Sequence, residues 1–312
     1  MSKVEPTADL AGTTVVFMAM AAALGTSTIY LLQPSIAEVA ASTGTGIAAT
    51  GVALACGPVG YMLGLLALVP LVDRFPPRNV LGAQFALLGI ALALSAVVHS
   101  IGALALLIAV TGACSVVGAG LSSIASRLTR PERRATNLGI VTAGISAGIL
   151  AGRIVGGWLA EQLGWRAMLL TFAIACGAFA ISCWMFLPIT RGAVRGGYLA
   201  GMLSLPRLYA EHAALRLAAL RGALWFFGFC AVWSGLAVAL SQPPFSYSAE
   251  RIGLYALAGL SGVAATRIAG VWTDRVCARK VILFGLALAG RAVLVGAVAL
   301  HSAPVTLVCL AL

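Results

Sequence analysis

Long apolar runs alternate with short polar connections along nearly the whole chain. The runs fall at about 13–33, 47–72, 79–98, 103–125, 138–160, 167–187, 222–240, 252–272 and 281–300. Each approaches or exceeds the roughly 20 residues that a helix needs to cross a bilayer, and each is well beyond the length of a barrel strand. Helices and closed barrels are the structures that satisfy backbone polar groups inside lipid, so the pattern predicts an all-α, multi-pass membrane protein. Breakers punctuate it: Gln33-Pro34 ends the first run, Pro188 ends the sixth, and Gly57-Pro58 predicts a kink inside the second. A tenth run starts near Val305 and is still apolar at Leu312. Residues 189–220 depart from the pattern, with Arg191, Arg195, Arg207 and Arg216 among Gly and Pro, and Arg221 directly after. They divide the chain into a first half (1–188), a linker (189–220) and a second half (221–312). Within the linker, 209–220 reads as an amphipathic helix at the membrane surface.

Composition agrees with this reading. The chain is 61% hydrophobic and 9% charged, against about 25% charged in an average soluble domain. The net charge of +11 raises nucleic acid as a partner, but no basic domain exists outside the runs to bind it. Fifteen of the 20 Lys and Arg instead lie before the first run, in the linker region or in alternate connections, while Arg166 and Arg251 lie in the others. The rich side is expected to be cytoplasmic, which places the N-terminus inside. The seven cysteines form no C-x-x-C pair and read as packed thiols. His99, His212 and His301 all sit at connections, and no nucleophile set, metal set or phosphate loop is apparent. Neither an enzyme nor a cofactor is expected.

Two connections share a pattern. V-P-L-V-D-R-F-P-P-R (69–78) closes the second run and G-V-W-T-D-R-V-C-A-R-K (270–280) closes the eighth, so that Asp73-Arg74 recurs 201 residues later as Asp274-Arg275. An acid followed by bases at a helix end suits the locking of two helices by charge-assisted hydrogen bonds; an ordinary charged loop explains either copy alone. Two copies at matching places indicate a parallel internal repeat, as in secondary transporters. These junctions resemble the G-x-x-x-D-R-x-G-R-R loop of the major facilitator superfamily, found after spans two and eight. Val69 replaces the leading Gly in the first copy and Pro76-Pro77 its Gly-Arg, while the second keeps Gly270 and ends on Arg279-Lys280. The resemblance implies two six-helix halves. The repeat offset then predicts a full length of about 400 residues, of which this chain would hold about nine to ten of twelve spans, with the second half incomplete, as a fragment or a truncated product. It also implies that the first junction (Asp73, Arg74, Arg78) contacts span eleven, and so is expected to be idle here, while Asp274, Arg275 and Arg279 reach span five.

Span five carries the next signal. Gly144, Gly148, Gly152 and Gly156 recur every fourth residue, with Gly157 beside them, so one helix face admits a close neighbour. G-R-I-V-G-G (152–157) resembles the antiporter motif G-P-x-x-G-G, with Arg153 in the proline position. A cation at that depth costs at least about 2.5 kcal/mol on insertion scales, so Arg153 is a candidate for substrate or gating contacts, with an internal structural pair as the competing reading. Arg267 is a second candidate and the mid-span Arg291 a third. Y-L-L-Q-P (30–34), G-W-R (164–166) and Q-P-P-F-S-Y-S (242–248) resemble bacterial inner-membrane exporters of the arabinose and drug efflux type. Tyr30 and Gln33 are candidates for the cavity mouth. Trp225, in the cluster with Phe226, Phe227, Phe229 and Trp233, is a candidate for ligand stacking; lipid packing is the alternative. No Asp or Glu falls within the runs, and Glu38 lies nearest. The superfamily's span-four arginine, expected near Val110 or Thr111, is absent.

The function expected from the resemblance is export of a small organic solute, sugar or drug-like, by alternating access with proton antiport. The expected setting is the bacterial inner membrane, where a monomer would have lipid, solute and protons as partners. A non-transporting sensor or an inactive remnant is the alternative.

Overall fold

The computed structural model describes residues 10–187, 198–261, 272, 278–298, 306 and 309. Regular structure among the described residues is helical. Seven of these helices are long and apolar enough to cross a membrane: Gly12–Tyr30, Ile47–Val72, Pro77–Val97, Ile101–Leu128, Pro131–Leu163, Trp165–Phe186 and Ala213–Ser241. They match the first seven runs and are called spans one to seven below. The short helix Ala249–Leu254 and the 3-10 turn Tyr255–Leu260 open the eighth run, and Ala278–Val298 covers most of the ninth. Arg267, Asp274 and Arg275 lie outside the described residues, and for Arg279 only the helical backbone is described.

The first half is built from three close helix pairs: span one with five, two with four, and three with six. Glycine sets the approach in each. A Cβ at Gly144 or Gly148 would overlap the carbonyl oxygens of Ala19 and Ala23, and Gly152 and Gly156 face Ser27 and Leu31 one turn at a time. Spans two and four meet as closely, with Gly60 and Gly64 under the carbonyls of Ala109 and Ala113, and Gly112 under that of Gly57. Lipid offers no hydrophobic gain for helix association, so such backbone proximity provides the dispersion contact that holds the pairs together. Phe17, Phe85 and Phe179 pack together in the core, with fully buried Met18, Leu81, Leu88 and Leu121, and half-exposed Phe186 stacks on Phe17 from the end of span six. Outward faces carry Val52, Leu106, Ile174 and Ile181, all strongly exposed, as lipid-facing positions require.

Two element boundaries differ from expectation. Span five begins at Pro131, not near 138, and runs 33 residues to Leu163. Proline at the first helical position is pre-organised for a helix start, and Gly164, at φ 81°, ends it. At 1.5 Å per residue this helix is about 50 Å long, well beyond a hydrocarbon core of about 30 Å, so Arg133 and Arg134 ride on its projecting end. The stretch 209–220 is not a separate surface helix. One helix ends at Glu211, and after His212 a new one starts at Ala213 and continues straight through span seven; the Ala, Leu and Arg content gives it no reason to stop. Pro58, where the sequence predicts a kink, lies inside the continuous helix Ile47–Ala67.

The helix Ala249–Leu254 of the second half packs on span five. Gly157 of span five lies against the carbonyl of Ala249, and Gly253 against the carbonyl of Arg153. The contact therefore sits directly beside the intramembrane arginine.

Candidate functional site

Arg153 lies ten residues before the end of span five, roughly 15 Å along the axis from it. It is only 3% exposed. Its Nε donates to Gln33 Oε1 at 3.0 Å and its Nη1 donates to the Ile149 carbonyl, one turn back on its own helix, at 3.1 Å. Span one closes with a 3-10 turn, Thr28–Tyr30, and Gln33 follows in a tight turn whose N–H donates to the Tyr30 carbonyl. That turn brings both Tyr30 and Gln33 to the arginine. The guanidinium carbon stands 4.3 Å from the ring centre of Tyr30, 4.5 Å from that of Trp233 and 5.3 Å from that of Phe229. Among the described residues no carboxylate pairs with it. Each aromatic face stabilises a desolvated cation by about 2 kcal/mol or more, which helps to hold a charge here with no counter-ion among the described residues.

The site thus joins three helices from both halves: Tyr30 and Gln33 from span one, Arg153 from span five, Phe229 and Trp233 from span seven. Phe229 and Trp233 are one helical turn apart, so their rings fall on one face. Trp225 continues that face, stacked on Phe229 at 5.7 Å, but is 69% exposed, and the cation packs on its two neighbours instead. The aromatic spacing from 225 to 233 was visible in the chain; which rings meet Arg153 follows from how the halves dock. Arg291 is exposed on the helix Ala278–Val298 and takes no part among the described residues.

The family follows from comparison with known proteins. A family model described as Major Facilitator Superfamily matches residues 15–312. The chain belongs to the Major Facilitator Superfamily. It is 31% identical over 284 residues to an uncharacterized transporter, YgaY, of Escherichia coli O157:H7, covering 91% of this chain and 72% of that protein. It is also 31% identical over 277 residues to the probable transporter SCO4007 of Streptomyces coelicolor, covering 88% and 64%. Crystal structures of a bacterial homolog to the human lysosomal transporter Spinster, in inward-facing unoccupied and occupied conformations, superpose with TM-scores of 0.59 and 0.62. At 16% and 15% identity they speak to the fold, and the chain spans 62% of their length.

In this superfamily member the first Asp-Arg junction makes local contacts among the described residues. Asp73 accepts hydrogen bonds from Ser123 Oγ at 2.8 Å and from Arg127 Nη1 at 3.3 Å, tying the connection after span two to the end of span four. Arg74 stands 5.6 Å from the Tyr198 ring and Arg78 5.9 Å from that of Trp184. These partners lie in the first half and the helix that follows it.

The G-W-R segment is also structural. Trp165, 4% exposed, donates from Nε1 to Ser42 Oγ at 3.0 Å, and Arg166 donates to the Val98 carbonyl at the end of span three. Near the superfamily's span-four arginine position, Thr111 is buried with Oγ1 unpartnered among the described residues, in a small cleft it shares with Thr28, Ser95 and Ile108.

Glu38 lies on the short helix Ile36–Thr43, outside the membrane-spanning segments and half-buried. Burial, and then the neighbouring charge of Glu161, raise its pKa above the ordinary 4.5. The folded chain therefore holds this proton more tightly than the unfolded chain. Its stabilising contribution is fully present below pH 4.5 and is lost as pH rises through the raised value. Glu38→Gln, which fixes a neutral side chain, is expected to raise the melting temperature at neutral pH and to leave it unchanged near pH 4. Thermal unfolding of the detergent-solubilised protein across that range checks this; an equal shift at both ends would remove the titration argument.

Proposed function

We propose that this chain acts in secondary active transport, exporting a small organic solute, sugar-like or drug-like, by alternating access with proton antiport across a bacterial inner membrane. The observation that carries the reading is the buried Arg153 in an aromatic ring shared between the two halves. Alternating access requires a site whose wall is divided between bodies that rock apart, and here span seven contributes Phe229 and Trp233 while spans one and five contribute the rest. Relatives named as transporters support the same class. The seating of Gly253 and Gly157 supports a state closed beside Arg153 on the side of Gly164–Arg166. The basic connections favour the opposite side as the cytoplasmic one, and on that orientation the proposed state opens inward. The protein would work as a monomer, with the linker 189–220 joining the halves. Glu38, half-buried and with a raised affinity for a proton, is the carboxyl we propose for the coupling step.

Everted vesicles carrying a respiration-driven pH gradient test the proposal. Addition of a transported solute is expected to dissipate the gradient, with L-arabinose, ethidium and benzoate as first probes. Solute movement that ignores the gradient would remove the antiport claim. No movement of any probe with vesicles that hold intact protein would favour a sensor or inactive remnant.

A further inference from the structure

Among the described residues, one nitrogen of Arg153 has no acceptor. A guanidinium carries five N–H donors. Nε and Nη1 each have an acceptor, but Nη2 is buried without a hydrogen-bond partner among the described residues. The two acceptors present, an amide and a backbone carbonyl, are both neutral. A buried cation with an open donor is an unfavourable arrangement to maintain for packing alone, since an apolar side chain of similar size would fill the space at lower cost. The three rings stabilise its charge from their faces but leave the Nη2 donors without a lone-pair acceptor.

We propose, on the basis of the transporter reading above, that Arg153 Nη2 receives the carboxylate of a monoanionic organic solute whose apolar body lies along Tyr30, Phe229 and Trp233. Charge decides the class. The described site holds one cation in an apolar ring, so one negative charge neutralises it. A phosphate monoester would bring close to two charges and leave one buried without a partner. A neutral sugar could accept the hydrogen bond but would leave the cation uncompensated. The aromatic column favours a planar or apolar body: Phe229 stacks on Trp225 at 5.7 Å and meets Trp233 at a tilt at 6.3 Å, and exposed Trp225 extends the wall away from the arginine. Because two of the rings belong to span seven, rocking of the halves would open the site to the solute.

Equilibrium binding to the purified full chain in detergent tests this without requiring transport. Tryptophan fluorescence and thermal shift would be followed with benzoate, its neutral analogue benzamide, and phenyl phosphate. A saturable response to benzoate is expected, with little or none to benzamide and a weaker one to phenyl phosphate. Arg153→Gln is expected to weaken benzoate binding by about ten- to a hundredfold, the loss of one charge-assisted hydrogen bond. Arg153→Lys, which keeps the charge but not the fork, is expected to weaken it less, and serves if the glutamine variant is not monodisperse. Equal responses to benzoate and benzamide, a stronger response to phenyl phosphate, no response to benzoate, or a lysine variant indistinguishable from the parent would each overturn the proposal. Benzoate binding with no solute movement in vesicles would sink the transporter reading and keep the anion site. Movement of arabinose or ethidium without benzoate binding would do the reverse.

Discussion

Gly148→Val is expected to unfold the first half or to lower its stability by about 3 kcal/mol or more, the upper range for overpacking. At this position an added Cβ meets the carbonyl oxygen of Ala23, which is backbone and cannot rotate away. Spans one and five would have to separate, and the same separation would loosen the contacts at Gly144 and Gly152 on the same face. The effect should therefore exceed that of a clash with a flexible side chain. Gly139→Val on the same helix is the matched control, since nothing lies within 4 Å of a Cβ there. Size-exclusion profile and thermal unfolding in detergent provide the readout. If both valine variants behave alike, the glycine face is not what sets the helix approach.

Arg153→Leu is expected to separate stability from function. Removing a buried charge in favour of an apolar side chain is often neutral or stabilising, and here no carboxylate among the described residues would be left unpaired. The melting temperature should hold or rise. Binding of an anionic solute should fall by about ten- to a hundredfold, and gradient-driven movement of that solute in vesicles should fall with it. A leucine variant that loses stability and function together would indicate that Arg153 acts as a structural fastener, through Gln33 and the Ile149 carbonyl, not as a recognition group.

These two residues also show how far the chain alone can be read. Gly148 was legible: its four-residue spacing with Gly144, Gly152 and Gly156 marks one helix face, and a face of glycine in an apolar helix has few uses besides close approach. Arg153 was legible as an anomaly, because the cost of burying a cation is a property of the residue and its depth. The identity of its surroundings was not. Tyr30 and Gln33 are more than a hundred residues away along the chain and reach it only through the turn that ends span one. Phe229 and Trp233 reach it only through the docking of span seven. Asp73 makes the same point from the other side. The repeat in Asp73-Arg74 exposed the family, since a motif recurring at a fixed offset is written in the sequence itself. Its partners, Ser123 and Arg127, depend on the end of span four lying beside the connection, and no periodicity encodes that.

The sequence by itself therefore determined the class, the seven described spans and the family, because apolar length, glycine spacing and repeated motifs are local quantities. The tertiary structure decided which aromatic rings enclose Arg153, which partners hold Asp73, and where the two halves meet. Those depend on side chains brought together from distant helices, and the energies that choose among such pairings are small differences in packing and hydrogen bonding that appear only once the helices are in place.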